Sequence, residues 1–391
     1  MLLLAAACGL LAANIYYAQP LIKPIAESLG LAPQASGLIV TITQIGYGLG
    51  LMFVAPLGDL IENRRLVIAC VAFSALALAF ASVATSASAF LVCSGAIGLG
   101  AVGVQILVPL GAHLAPDAIR GRVVGAVMSG LLIGIMLARP VASFIASQAS
   151  WRAVFAVSAA LMVTLGLVLS RTLPVRKPEA RMSYGALMAS LARLAAATPI
   201  LRLRAFYQTC LFFAFSLFWT TTPLLLAGPD YRLTQRGIAL FALAGVSGAV
   251  GAPVAGRLAD RGYTGSATAG AISLVALGFL ATMAIPEGST LALALLVAAA
   301  IAVDFGVQAN VVLGMRALFA LAPEARGRLN GVYIATFFAA GALGSAVGAW
   351  AFARGGWPLA SRIGLAPPLI ALARFVFRVS MRRGSCVSFS P

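Results

Sequence analysis

What most restricts this chain is the recurrence, along its whole length, of unbroken apolar stretches about as long as the ~20 residues a helix needs to cross a bilayer. In lipid, only helices and closed barrels satisfy all of their own backbone hydrogen bonds. A barrel strand alternates apolar and polar residues, whereas these runs are continuous, so helices are expected. Twelve are read, at residues 2–18, 36–57, 66–84, 89–114, 123–147, 153–173, 203–226, 237–258, 266–285, 291–321, 329–353 and 359–377. A polar stretch, 174–199, divides them into a first six within 1–173 and a second six within 200–378, with a tail at 379–391. Composition agrees: 61% of residues are hydrophobic and 9% charged, against roughly 25% charged in soluble domains.

The two sixes carry an internal echo. Gly103-Val104-Gln105, Ala115-Pro116 and Arg120-Gly121-Arg122 recur in the same order as Gly306-Val307-Gln308, Ala322-Pro323 and Arg326-Gly327-Arg328, between 203 and 207 residues later. Asp59 and Asp260 are separated by a similar 201 residues. The chain reads as two copies of one unit. Asp304 marks a difference between them, since Ala101 stands at the matching place.

A formal net charge of +17 raises nucleic acid as a partner, but the basic residues are dispersed among the ends of the apolar runs. Twenty of the 27 lie on one set of alternate loops and the tail, six on the other set, and Arg139 inside a helix. That asymmetry is the signature of membrane topology and puts the twenty-residue side, both termini and the central loop in the cytoplasm. The chain is therefore expected to lie in a membrane, with no nucleic acid bound. Cys8, Cys70, Cys93, Cys210 and Cys386 have no paired spacing, so neither a disulfide nor a metal site is expected, and no cofactor. Ala5-Ala6-Ala7-Cys8 only faintly resembles a lipoprotein cleavage site, because no basic region precedes it. His113 is the one histidine and has no nucleophile or phosphate loop beside it, so an enzyme is not expected. The last helix is poor, with Arg362, Arg374 and Pro367-Pro368 inside it. The sequence after Trp357 reads either as a degenerate final helix or as a shifted frame ending in a non-native tail.

Two loops carry a paired motif. One reads Gly256-Arg257-Leu258-Ala259-Asp260-Arg261-Gly262; the other holds Ala55, Asp59, Leu60, Glu62 and the pair Arg64-Arg65. An acid at a helix end followed by arginines can bridge helices in one conformation and release them in another. The bland alternative is a solvated turn. The second loop resembles the cytoplasmic-loop motif of the major facilitator superfamily through Gly256, Asp260, Arg261 and Gly262; the first departs at Ala55, Leu60 and Glu62. Within that superfamily, Asn14-Ile15-Tyr16-Tyr17-Ala18-Gln19-Pro20 and Trp151-Arg152-Ala153-Val154-Phe155 resemble bacterial proton-coupled drug and sugar efflux proteins. Helix 5 carries Gly130, Gly134 and then Arg139-Pro140, similar to the glycine-proline motif of superfamily antiporters except for the arginine. Helix 11 repeats the small-residue theme at Gly341, Gly344 and Gly348, spacing that lets helices approach closely.

The resemblance implies an all-α major facilitator fold of two pseudo-symmetric six-helix halves, with helices 1, 4, 7 and 10 lining a central cavity. Polar residues within those helices are Asn14, Gln105, Gln208, Asp304, Gln308 and Asn310. Asp304 and Gln308 are four apart and share a helix face, and the repeat mates Gln105 and Gln308 are placed to face each other. Each amide also has a plain reading as a helix-to-helix hydrogen bond. Asp304 is the acid placed well inside a helix, where a charge is costly and marks function by default; it is the expected proton-coupling group. Arg139 is read as a gate or counter-charge, or as an arginine snorkelling to the outer surface. Asp59, Arg64, Arg65, Gly256, Asp260 and Arg261 are the expected gating set. The expected activity is secondary active transport, proton-coupled export of a small organic molecule by a monomer. Proton-driven uptake, and an inactive or regulatory membrane protein, remain as alternatives.

Overall fold

In the computed structural model, which describes residues 1–116, 119–178, 183–321 and 326–387, the described residues are helical throughout and form no strand. The first half comprises α1 (Leu2–Ala13), α2 (Ile22–Leu29), α3 (Leu38–Leu49), α4 (Asn63–Val83), α5 (Ala87–Ala101), α6 (Gly103–Leu114), α7 (Arg120–Gln148) and α8 (Trp151–Thr172). The second comprises α9 (Tyr184–Ala197), α10 (Pro199–Leu226), α11 (Gln235–Ala242), α12 (Gly248–Asp260), α13 (Thr264–Thr282), α14 (Thr290–Phe319) and α15 (Arg326–Val387). Ala322, Pro323, Arg181 and residues 388–391 lie outside the described residues, as do the side chains of Arg326, Arg382, Arg383 and Cys386.

Among the described residues, ten helical stretches are long and apolar enough to cross a membrane. The longest, Gly327–Met381, has 55 residues. As one rod at ~1.5 Å per residue it would far exceed a hydrocarbon core ~30 Å thick. It is two crossings, broken at Gly355 and Gly356, where Gly356 takes φ +60 just ahead of Trp357-Pro358. With the shorter apolar helix α1, the described residues make up the expected twelve apolar helices of the bundle. The stretch after Trp357 is a packed helix, with Trp357, Ala360, Ser361 and Ala371 buried.

The helices depart from expectation at several places. The first was expected to reach residue 18 but stops at Ala13, and a 3-10 turn follows at Gln19–Leu21. Pro20 lies in that turn, near its start, where a missing backbone N–H is tolerated. The crossings at 36–57, 89–114 and 237–258 are each interrupted: α3 runs into a π turn at Gly50–Val54 and a 3-10 turn at Ala55–Asp59, α5 and α6 meet at Val102, and α11 and α12 meet across a 3-10 turn at Leu243–Ser247. The central stretch 174–199 is not all loop, because it holds α9. Leu187 and Leu191 form its buried stripe, and the Ala186 N–H donates to the Ser183 hydroxyl at 3.2 Å, a side-chain cap on an otherwise unpaired donor. Ser86, Ser150, Thr234 and Ser289 cap α5, α8, α11 and α14 in the same way.

Large apolar side chains such as Leu76, Phe80, Leu167, Leu240 and Leu343 point outward, as lipid-facing residues must. Inside, small residues set the spacing. α1 packs along α7 so closely that a Cβ on Gly134 would lie 2.2 Å from the Gly9 carbonyl oxygen. α10 packs along α15 in the matching way, with Gly344 against the Phe213 carbonyl. The small-residue runs of helices 5 and 11 thus serve equivalent interfaces in the two halves. Gly134→Leu is expected to lower the melting temperature of the detergent-purified protein by an amount equivalent to about 1–3 kcal/mol or more, the usual cost of overpacking. Gly125→Leu, on the same helix with open space around it, is the control and should melt near the wild type; equal losses in both would rule out the close α1–α7 contact.

Candidate functional site

The buried centre of the bundle holds an ion pair between its halves. Arg139 projects from the middle of α7 and is 1% exposed; Asp304 projects from α14 and is 2% exposed. Arg139 Nη1 lies 3.6 Å from Asp304 Oδ1. Two further bonds aim the partners: Arg139 Nε–H donates to Gln19 Oε1 at 2.7 Å, and Trp219 Nε1–H donates to Asp304 Oδ2 at 2.6 Å. Both carboxylate oxygens are therefore engaged. The guanidinium carbon also sits 4.1 Å over the Trp219 ring, with Phe215 and Tyr16 rings at 5.1 and 5.3 Å. Such aromatic faces attract a desolvated cation. Arg139 Nη2 and Gln19 Nε2 are buried without a hydrogen-bond partner.

Local breaks in the helices make room for this arrangement. Gln19 reaches Arg139 because α1 ends early and the 3-10 turn redirects the chain. Gly245 lies in the 3-10 turn between α11 and α12, where a Cβ would stand 3.0 Å from the Trp219 ring, 3.2 Å from Arg139 Nη1 and 3.4 Å from Asp304 Oδ1. Only glycine leaves the pair undisturbed there.

Arg139 therefore does not snorkel: it points inward, onto a carboxylate. The expected amides are distributed differently. Gln105 is half-buried and donates to the Tyr47 hydroxyl at 3.1 Å, within its own half rather than toward Gln308. Gln208 is buried and accepts from Asn310 Nδ2 at 2.8 Å, tying α10 to α14. Gln308 is half-buried beside Gly248 of α12. Asn14, at the end of α1, is directed to α8: it accepts from the Ser158 hydroxyl at 2.6 Å and donates to Met162 Sδ at 3.5 Å. It does not join the Arg139–Asp304 cluster. Gln19 and Trp219 were not among the expected site residues. Gln19 lay beyond the presumed end of a lining helix, and Trp219 is one apolar letter in an apolar run; the only local signal near Gln19 was the neighbouring Pro20, which marks an irregular stretch.

The loop residues also find specific partners. Asp260 pairs with Arg316 at the end of α14 and not with its neighbour Arg261, and Arg316 additionally donates to the Gly256 carbonyl at 3.2 Å. Gly262 has φ +83 and turns the chain out of α12. In the first copy Arg64 donates to the Ser170 carbonyl of α8, Arg65 pairs with Glu62 at 3.1 Å, and Asp59 is exposed within electrostatic reach of Arg328 and Arg176. The copies thus share a position but differ in wiring.

Among the described residues, direct hydrogen bonds between residues up to 173 and residues from 199 onward lie between the ion pair and the end away from the arginine-rich loops. Thr41 donates to the Ala342 carbonyl at 3.0 Å, Gln44 to the Ser216 hydroxyl at 2.8 Å, Ser345 to the Gly37 carbonyl at 3.2 Å, and Lys23 to the Ala227 carbonyl at 2.8 Å. Arg236 reaches Gln148 at 3.3 Å across α11 and α7. The halves are laced together at that end, and Arg139–Asp304 is the innermost link.

Comparison with known proteins places this geometry. The sequence matches the family described as Major Facilitator Superfamily over residues 2–311. The chain belongs to the major facilitator superfamily. It is 39% identical to YgaY of Escherichia coli (strain K12), a protein named as a transporter, over 357 residues covering 91% of this chain and 90% of that one. It is 37% identical over 361 residues to SCO4007 of Streptomyces coelicolor, also named as a transporter, covering 91% and 82% respectively. The fold is similar to that of a crystal structure of the nucleoside transporter NupG in a mutant form, with a TM-score of 0.77 at 14% identity, covering 96% of this chain and 98% of that chain. This is a multi-pass membrane transporter of the major facilitator type and not an enzyme.

The pair should behave as one energetic unit. Removing one member of a buried pair strands the other charge, at about 3–5 kcal/mol. Arg139→Gln and Asp304→Asn are each expected to depress the melting temperature strongly, and the double variant by clearly less than the two losses added. Strict additivity in that double-mutant cycle would show the two charges to be uncoupled.

Proposed function

We propose that this transporter exports small organic molecules across the bacterial inner membrane in exchange for protons. It would work as a monomer by alternating access, with residues 1–173 and 200–378 as the two moving bodies, 174–199 joining them in the cytoplasm, and both termini on that side. The observation that carries the reading is the buried Arg139–Asp304 pair between α7 and α14. A carboxylate held by a cation from the opposite half is a coupling device: a proton added to Asp304 cancels its charge and releases Arg139. Charge-assisted bonds are roughly twice as strong as neutral ones, so the Trp219 and Arg139 contacts to Asp304 weaken together on protonation. The link between the halves then loosens at the end where the other cross-bonds lie.

In this cycle Asp304 carries the proton and Arg139 serves as counter-charge and gate. Gln105 and Gln308, the half-buried amides of the repeat-related helices α6 and α14, offer hydrogen bonds to a substrate in the cavity. Gln208 and Asn310 fix α10 to α14 beneath them, and Asn14 fixes α1 to α8. Asp260 with Arg316, Gly256 and Arg261, and Asp59 with Arg64 and Arg65, form the cytoplasmic gating set, whose bonds lie within each half in this arrangement and would re-pair across the halves to hold the outward-open state. The cross-bonds from Thr41, Gln44 and Ser345 support an arrangement closed on the outer side, so the cavity opens toward the cytoplasm, the side from which an exporter loads. Export itself is supported by the likeness of helix 5 and of the Asn14–Pro20 and Trp151–Phe155 segments to proton-coupled efflux proteins.

The test is transport by purified protein in vesicles with an imposed pH gradient, using a panel of drugs, sugars and amino acids. Wild type is expected to move at least one compound against the direction of proton flow. For that compound, Asp304→Asn should cut gradient-driven transport by at least tenfold while leaving exchange without a gradient measurable. Undiminished gradient-driven transport by Asp304→Asn would remove Asp304 from the coupling role. Movement in the same direction as the protons would identify uptake instead.

A further inference from the structure

Far from the ion pair, at the end of the bundle that carries the arginine-rich loops, a cleft of about 510 Å³ opens between the start of α10 and the last crossing of α15. Pro199, Arg202, Leu203, Phe206, Arg374 and Arg378 line it. We propose that this cleft is a seat for the phosphodiester headgroup of an anionic membrane phospholipid.

Three arginines converge on the cleft, and none of the described residues that line it is a carboxylate. Among the described residues, none of the three makes a salt bridge or side-chain hydrogen bond; Arg374 rests only on the Phe206 ring, its guanidinium carbon 5.4 Å from the ring centre. Arg374 and Arg378 are four residues apart on one helix, where like charges repel, and Arg202 brings a third cation from α10. An anion is what would reconcile them. The guanidinium fork matches phosphate oxygens in a bidentate way, and the start of α10, a 28-residue helix, adds the positive end of its helix dipole.

The surroundings select a lipid over a free phosphate. Leu203, Phe206 and Pro199 make half of the lining apolar. Ile370, Val376 and Phe377 beside it on α15 are 56%, 58% and 63% exposed and face outward, as lipid-contacting residues do. A headgroup held by the arginines would lay its acyl chains along that surface. Basic pockets between membrane helices on the arginine-rich side bind such headgroups. The lipid would bridge α10, which carries Gln208 and Trp219, to the crossing that follows Trp357.

The full-length protein in neutral detergent is titrated with phosphatidylglycerol, with phosphatidylcholine of the same acyl chains, and with inorganic phosphate, and its melting temperature is followed. Phosphatidylglycerol is expected to raise the melting temperature saturably, and phosphatidylcholine and millimolar phosphate to leave it unchanged. Arg374→Gln/Arg378→Gln should raise the half-saturating phosphatidylglycerol concentration at least tenfold. Arg354→Gln/Arg362→Gln, which removes two charges from the opposite end of the same helical stretch, should not. Arg202→Gln, measured in parallel, should weaken the effect several-fold, so the outcome does not hinge on the double variant folding. Equal responses to the two lipids, equal losses in the two double variants, or a wild-type response from Arg202→Gln would overturn the site. A full response to phosphate alone would make the occupant a soluble anion and overturn the lipid assignment.

Discussion

An arginine and an aspartate that meet in the lipid-shielded centre of a helix bundle have to be held there against their own preference for water. Taking each charge out of solvent costs several kcal/mol, and mutual attraction offsets that only where geometry and additional hydrogen bonds are good. The surroundings of Arg139 and Asp304 supply those bonds: Gln19 to Nε, Trp219 to the second carboxylate oxygen, and a ring face beneath the guanidinium. An apolar pair of the same volume would often stabilise such a core equally well. Stability alone therefore does not account for a charge pair at this position. Its placement between α7 and α14 fits the proposed coupling role, because a contact that depends on charge is one that a proton could switch.

Much of the remaining architecture can be understood as preparing that contact. Three crossings are broken into segments and α1 ends early, and two of these four departures bear directly on the pair: the early end of α1, which presents Gln19, and the 3-10 turn that puts Gly245 against the arginine and the aspartate. Irregular backbone at membrane depth is tolerated where protein buries it, and here it shapes the space around the charges. The glycine contacts of α7 on α1 and of α15 on α10 bring backbones close enough for each half to behave as a stiff body. Stiff bodies joined by few polar links can change relative position without repacking their interiors.

The membrane class, the number of crossings and the two-fold repeat were legible in the sequence because each is a property of many residues at once: run length, loop charge and offset. Asp304 was legible because an acid in an apolar helix is conspicuous. Its partner was only half legible. Arg139 stood out, but whether it reached the surface or the core depended on the rotation of α7, which no local pattern sets. Gln19 and Trp219 were missed for the reason that helix ends and tertiary neighbours decide them. Gln19 joins the cluster only because α1 ends at Ala13 and a 3-10 turn follows, and the indole N–H of Trp219 matters only once α10 and α14 are packed. The loop arginines show the same limit. Asp260 was read with its sequence neighbour Arg261, yet Arg316, 56 residues away, is its partner.

The difference between the two repeats gives the pair its direction. Both copies keep a glutamine at the matching place, Gln105 and Gln308, but only the second has an acid one turn before it, and the first has Ala101. Ala101 is buried where α5 gives way to α6, so the first repeat contributes a break in its helix while the second contributes a charge on a continuous one. The compensating cation does not come from the matching helix. It comes from α7, which packs against the outer segment of the broken crossing α11–α12. A symmetric scaffold thus holds an asymmetric link, and in the proposed cycle a single protonation site would be enough to bias one half against the other. Two identical carboxylates, one in each repeat, would instead repel across the cavity and leave Arg139 shared between them.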